Sequence, residues 1–144
     1  MTLGTQNSTL SASLTWRIGV GKLIGLLIGA GAFALIGAYA PQSPEALRWG
    51  ALFWFLTLGA VIGMAGLYTA HPVLRVPLPW WVRAPFIGAW MHLVLGLIAA
   101  APLTALSGAA AGAEMSAFAA ILWFVAIGAV SAFVIDAGAT AIGG

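Results

Sequence analysis

Residues 23–44 read LIGLLIGAGAFALIGAYAPQSP, twenty-two positions without one formal charge. A bilayer's hydrocarbon core is about 30 Å thick and takes about 20 apolar helical residues to cross. Three further stretches have the same character: 49–74, 84–113 and 115–135. All the charges of the chain fall outside these runs. They are Arg17, Lys22, Glu45, Arg48, Arg75, Arg83, Glu114 and Asp136. With 62% apolar and 6% charged residues, the sequence lies far from the roughly 25% charge of soluble domains. It cannot supply a polar surface for a water-soluble fold of 144 residues. The reading is an all-α, polytopic integral membrane protein with four transmembrane helices in one compact bundle.

Breakers and charges set the expected boundaries. Residues 1–16 are rich in Ser and Thr and read as a polar tail. The helices are expected at about 18–40, 47–70, 84–106 and 115–136, forming a single domain over 17–136. Pro41 and Pro44 end the first, because proline cannot continue the helical ladder. His71-Pro72 ends the second. Residues 71–83 read as an interfacial loop, with four prolines over 71–85 against regular helix. Residues 137–144 read as a short Gly/Ala tail. The first run is too long for the apolar part of a signal peptide, and Pro41 directly follows the Ala38-Tyr39-Ala40 mimic of a cleavage site, so a retained span is expected.

Orientation follows from the cations. With the amino end in the cytoplasm, Arg17, Lys22, Arg75 and Arg83 lie inside and Arg48 outside, the arrangement favoured by the positive-inside rule. Both termini are then expected in the cytoplasm. Trp16, Trp49, Trp80, Trp81, Tyr39 and Tyr68 fall near expected helix ends, where aromatic belts form. The expected location is a bacterial inner (plasma) membrane.

Small residues repeat along every helix. Gly21, Gly25 and Gly29 recur at intervals of four, Gly59 and Gly63 do so in the second helix, and Gly88 and Gly96 flank His92. Gly128 lies in the fourth. Such stripes let helix backbones approach in lipid, where tight van der Waals contact replaces the hydrophobic drive. They serve packing within the chain or against a second subunit.

His92 is the ionisable group well inside a span, and intramembrane ionisable residues are functional candidates. It reads as a proton relay, a solute contact or a haem ligand, or else as a neutral imidazole bonded to Thr57, Ser131, Thr104 or a backbone carbonyl. Thr57 and Ser131 join it as the membrane-interior polar set. Asp136, at the expected end of the fourth helix, opposes the helix macrodipole and calls for a cation among Arg17, Lys22, Arg75 and Arg83. His71, Arg75, Trp80, Trp81 and Arg83 form a candidate interfacial contact set for lipid headgroups or a partner.

Several classes are excluded. The chain has no cysteine, hence no disulfide, thiolate metal site or cysteine nucleophile. Its basic residues are unclustered, against nucleic-acid binding. No carboxylate pair, nucleophile–base set or metal-ligand cluster is present, so neither an enzyme nor a bound metal or cofactor is expected. The acid-free spans argue against ion-coupled drug export. The leading expectation is a non-enzymatic structural or accessory subunit of a membrane assembly. Its partners are the lipid bilayer and either itself or other membrane subunits, with no soluble partner. A small transporter or channel using His92 and a haem-binding electron-transfer subunit are the alternatives.

Overall fold

The computed structural model describes residues 3–66 and 77–143, with side chains at 14–66 and 77–142. Five α-helices make up this part: α1 (Leu3–Tyr39), α2 (Glu45–Ala65), α3 (Trp80–Ile98), α4 (Ala100–Ala111) and α5 (Ala117–Gly143). Leu14–Tyr39, Glu45–Ala65, Trp80–Ile98 and Ala117–Ile142 are long and apolar enough to cross a membrane. Among the described residues the fold is all-helical, and its four long apolar helices suggest a multi-pass membrane protein.

Each boundary has a local cause. Pro41 follows α1, and the turn after it is closed by Ser43, whose amide and hydroxyl both donate to the Ala40 carbonyl. α2 begins directly after Pro44, with Glu45 at its positive end. Ser116 caps α5: its hydroxyl accepts from the Ala119 amide and its carbonyl accepts from the Ala120 amide. α4 ends at Gly112, in the left-handed region at φ 66°, a conformation that favours glycine at a helix end.

Several expected boundaries need correction. α1 extends back to Leu3, through residues read as a polar tail. No proline interrupts residues 3–39, so the helix nucleated by the apolar run continues. The third span breaks at Ala99 (φ −111°, ψ 32°). Pro102 explains this, having no N–H for the Ile98 carbonyl and a ring that crowds it. The connection expected between 106 and 115 is instead helix as far as Ala111, and α3 begins at Trp80 within the stretch read as loop. α5 runs on to Gly143, so Asp136 lies inside a helix and the macrodipole argument for it lapses. Residues 67–76 fall outside the described part, including the expected last turn of the second helix, His71 and Arg75.

The helices meet backbone to backbone. α1 and α2 pack antiparallel along the glycine stripe. A Cβ at Gly21 would land on the Gly59 carbonyl oxygen, one at Gly25 on that of Phe55, and one at Gly29 would stand 2.7 Å from that of Leu52. Gly63 lies against Arg17 and Ile18. α3 and α5 form a second antiparallel pair, with Gly88 against Gly128 and Ala132. Gly96 faces Ile121 and Phe124 at ordinary contact distance. The two pairs join over Phe55, Leu58, Ile62, Ala84, Ala132 and Ile135. The outer surface carries large apolar side chains from all four spans, such as Leu27, Phe53, Trp90 and Val130, as helices that are apolar all round require.

Gly59→Leu should therefore push α1 and α2 apart at Gly21 and cost about 1–3 kcal/mol or more of stability. Gly19→Ala, whose Cβ meets nothing within 4 Å, should be neutral. Unfolding of both variants in mixed micelles checks this.

Candidate functional site

Two buried polar centres lie between the helices, one near an end of the spans and one near their middle. The first is built around Asp136 of α5, a fully buried carboxylate. A charge in that position is costly unless paired and hydrogen-bonded. Arg17 of α1 donates from Nη2 to Oδ1 at 3.0 Å, and Arg83 of α3 donates from Nη2 to Oδ2 at 3.2 Å. Each carboxylate oxygen thus takes one arginine, and three spans converge on one group. Arg17 also donates to the Thr140 hydroxyl at 3.3 Å, one turn beyond Asp136 on α5.

The centre carries a formal excess of one positive charge. Its surroundings offset part of this. The Arg17 guanidinium occupies the space a side chain at Gly66 would need, at the C-cap of α2. The end of a helix there presents its partial negative charge. α2, the remaining span, is therefore also in contact with the cluster. Just outside it, the Trp16 indole N–H donates to the Ile142 carbonyl at 3.2 Å, tying the same ends of α1 and α5.

Arg83 consequently departs from the interfacial set. It is buried against Asp136 because α3 starts at Trp80 and turns position 83 inward. Trp81 is exposed, and Trp80 packs its ring against Phe133 at 5.3 Å. Lys22 is exposed, which leaves Arg17 and Arg83 as the described cations at Asp136.

The second centre is His92, also fully buried. Its Nδ1 lies 2.9 Å from the Gly88 carbonyl, and the Trp54 indole Nε1 lies 3.3 Å from its Nε2. An indole N–H only donates. Nε2 is therefore the acceptor, and Nδ1 carries the proton given to Gly88. Both ring nitrogens of a neutral imidazole are satisfied. Trp54, Phe55 and Phe124 surround the ring with centroid distances of 5.6, 5.6 and 4.6 Å. Gly128 is needed here as well, because a Cβ on it would strike the imidazole.

Thr57 and Ser131 are not partners of this ring. The Thr57 hydroxyl donates to Phe53 of its own helix and the residue is exposed, while Ser131 is buried on α5. Thr104 likewise bonds back to Ala100 on α4. The actual side-chain partner, Trp54, was legible in one respect: it is a tryptophan in mid-span, away from the interfacial belts. A metal or proton path at His92 would first have to displace the indole from Nε2. Among the described residues no three His, Asp or Glu side chains cluster as metal ligands.

Trp54→Phe removes the donor to a buried acceptor and should lower stability by about 1–3 kcal/mol, whereas adding His92→Leu should restore part of it because both polar partners are then gone. Denaturant unfolding in micelles reads this. A neutral Trp54→Phe would mean that Nε2 is satisfied by something else. Comparison with known proteins finds no matching family model, no matching curated protein and no matching solved structure.

Proposed function

We propose that this chain is a non-enzymatic structural or accessory subunit of an assembly in a bacterial plasma membrane, with its four spans in a compact bundle and both termini in the cytoplasm. The observation carrying this reading is the saturation of His92. Its two ring nitrogens are used by Trp54 and Gly88 inside an aromatic cage. Chemistry or transport at the histidine would require an open nitrogen or a polar path.

The charge cluster supports the same reading. Arg17 and Arg83 direct their guanidinium groups at Asp136, where they fix the relative placement of the spans. The glycine stripes are spent on contacts within the chain. What remains for partners is the outer apolar surface, including Phe86, Trp90, Phe118 and Trp123. Topology follows from placing Arg17, Lys22, Arg75 and Arg83 on one side against Arg48 on the other.

A fluorescent protein fused after Gly144 tests both parts in bacterial cells. The fusion should fluoresce, as it folds in the cytoplasm. In a native gel of mildly solubilised membranes its band should run well above the sum of the tag and a 14.7 kDa chain. A dark but inserted fusion would reverse the topology. A fluorescent band at monomer size in every mild detergent and lipid mixture would remove the subunit reading.

A further inference from the structure

Arg48 of α2 stands at the other end of the spans from the Asp136 cluster. Its guanidinium lies against Gly37, which is twenty residues from Arg17 along α1, or about 30 Å of helix. A bilayer's hydrocarbon core has about the same thickness. With the cluster at one boundary, Arg48 is at the other, at the level of lipid phosphates. Its berth is built. A Cβ at Gly37 would stand 2.7 Å from Nη2 and 3.0 Å from Cζ, so glycine makes room for the group on α1. Phe33, one turn earlier on α1, covers its face, with Cζ 4.3 Å from the ring centroid. Phe33 and Trp49 meet edge to face at 5.0 Å, and Trp49 stacks on Phe53 at 6.1 Å. The long side chain is therefore held in place by α1 and by its own helix.

No anion of the chain meets it. Among the described residues both ion pairs belong to Asp136, and Arg48 makes no hydrogen bond. Its Nε is covered, which leaves the Nη groups as the donors at the surface. A ring takes only the face of a guanidinium. The in-plane N–H groups, which match phosphate oxygens two at a time, stay available. Glu45, three residues earlier on α2, is near enough on a helix to pair with Arg48. Instead its Oε1 accepts from the Trp49 indole at 3.2 Å, and the residue is exposed. α2 enters the bilayer from this boundary, so Glu45 lies about 4.5 Å farther from the apolar core than Arg48.

The two charges run in the order of a zwitterionic headgroup. The cation is at the level of a phosphate, and the acid is one turn outward, at the level of an ammonium. We propose that Arg48 and Glu45 form a binding site for one phosphatidylethanolamine headgroup. The Nη groups of Arg48 donate to its phosphate, and the Glu45 carboxylate accepts from its ammonium. A glycerol headgroup brings no cation for Glu45, and a choline headgroup gives it no N–H. Free phosphate satisfies Arg48 alone.

Native mass spectrometry of the parent, purified in mild detergent from membranes of phosphatidylethanolamine and phosphatidylglycerol, should show one phosphatidylethanolamine retained in preference to phosphatidylglycerol. Excess inorganic phosphate should not displace it. Arg48→Gln removes the charged donor and should lower that retention about tenfold or more. Glu45→Gln should abolish the preference between the two lipids while retention persists. Both variants should keep the parent's helical circular dichroism. A phosphatidylethanolamine with a photoreactive group beside its acyl ester gives a second measurement on the parent alone, with label expected on Phe33, Trp49 or Phe53; it decides the matter if a variant fails to fold. Absence of retained lipid from the parent, equal retention of the two lipids, displacement by phosphate, undiminished retention in folded Arg48→Gln, an unchanged preference in folded Glu45→Gln, or label confined to the opposite boundary, as at Trp81, would each overturn the proposal.

Discussion

The carboxylate of Asp136 has no exposed surface, and it is held between two guanidinium groups that come from different helices. In an apolar medium a lone carboxylate is among the most expensive groups a fold can bury. The two arginines are no cheaper to bury alone. The three groups are therefore tolerable only together, and together they require that α1, α3 and α5 come to the same point. The end of α2 is drawn in through Arg17, which lies over Gly66. A single electrostatic condition thus constrains all four spans.

Glycine contacts make that meeting possible. Gly63 lies against Arg17 and Ile18, so the α1–α2 interface begins at the same level as the ion pair and continues through Gly59, Gly25 and Gly29 toward the opposite face. In the other helix pair Gly88 and Gly128 bring α3 onto α5, and this close approach leaves His92 enclosed by aromatic rings and bonded to Trp54 of α2. Charges fix one end of the spans, glycines set the spacing, and the histidine ties the two pairs near mid-depth. Beyond His92, α3 breaks at Ala99, ahead of Pro102.

The spans were legible because lipid imposes a coarse rule: about 20 residues without charge. Breakers placed the start of α2 near Pro44 and the end of α1 before Pro41. The rule was weak where polar residues are still helical. Ser, Thr, Asn and Gln over residues 5–15 resemble a tail, yet nothing in them stops a helix entering from the apolar side. The demand of Asp136 for a cation could be read from its type and position. The choice of Arg17 and Arg83 could not, because it depends on α3 starting at Trp80 rather than Ala84. Trp54 escaped notice for a related reason: partner choice across helices is set by rotation about each axis, which a sequence without amphipathic contrast does not encode.

The most direct measurement is a cycle of unfolding free energies in bicelles for Asp136→Asn, for Arg17→Gln/Arg83→Gln, and for the three substitutions combined. Breaking a buried ion pair from one side leaves an uncompensated charge and costs about 3–5 kcal/mol. If the three groups hold the spans together as a unit, Asp136→Asn should lose about that much, and the triple variant should be more stable than Asp136→Asn alone. Strictly additive losses, or an Asp136→Asn protein as stable as the parent, would show that the spans are held together without the ion cluster.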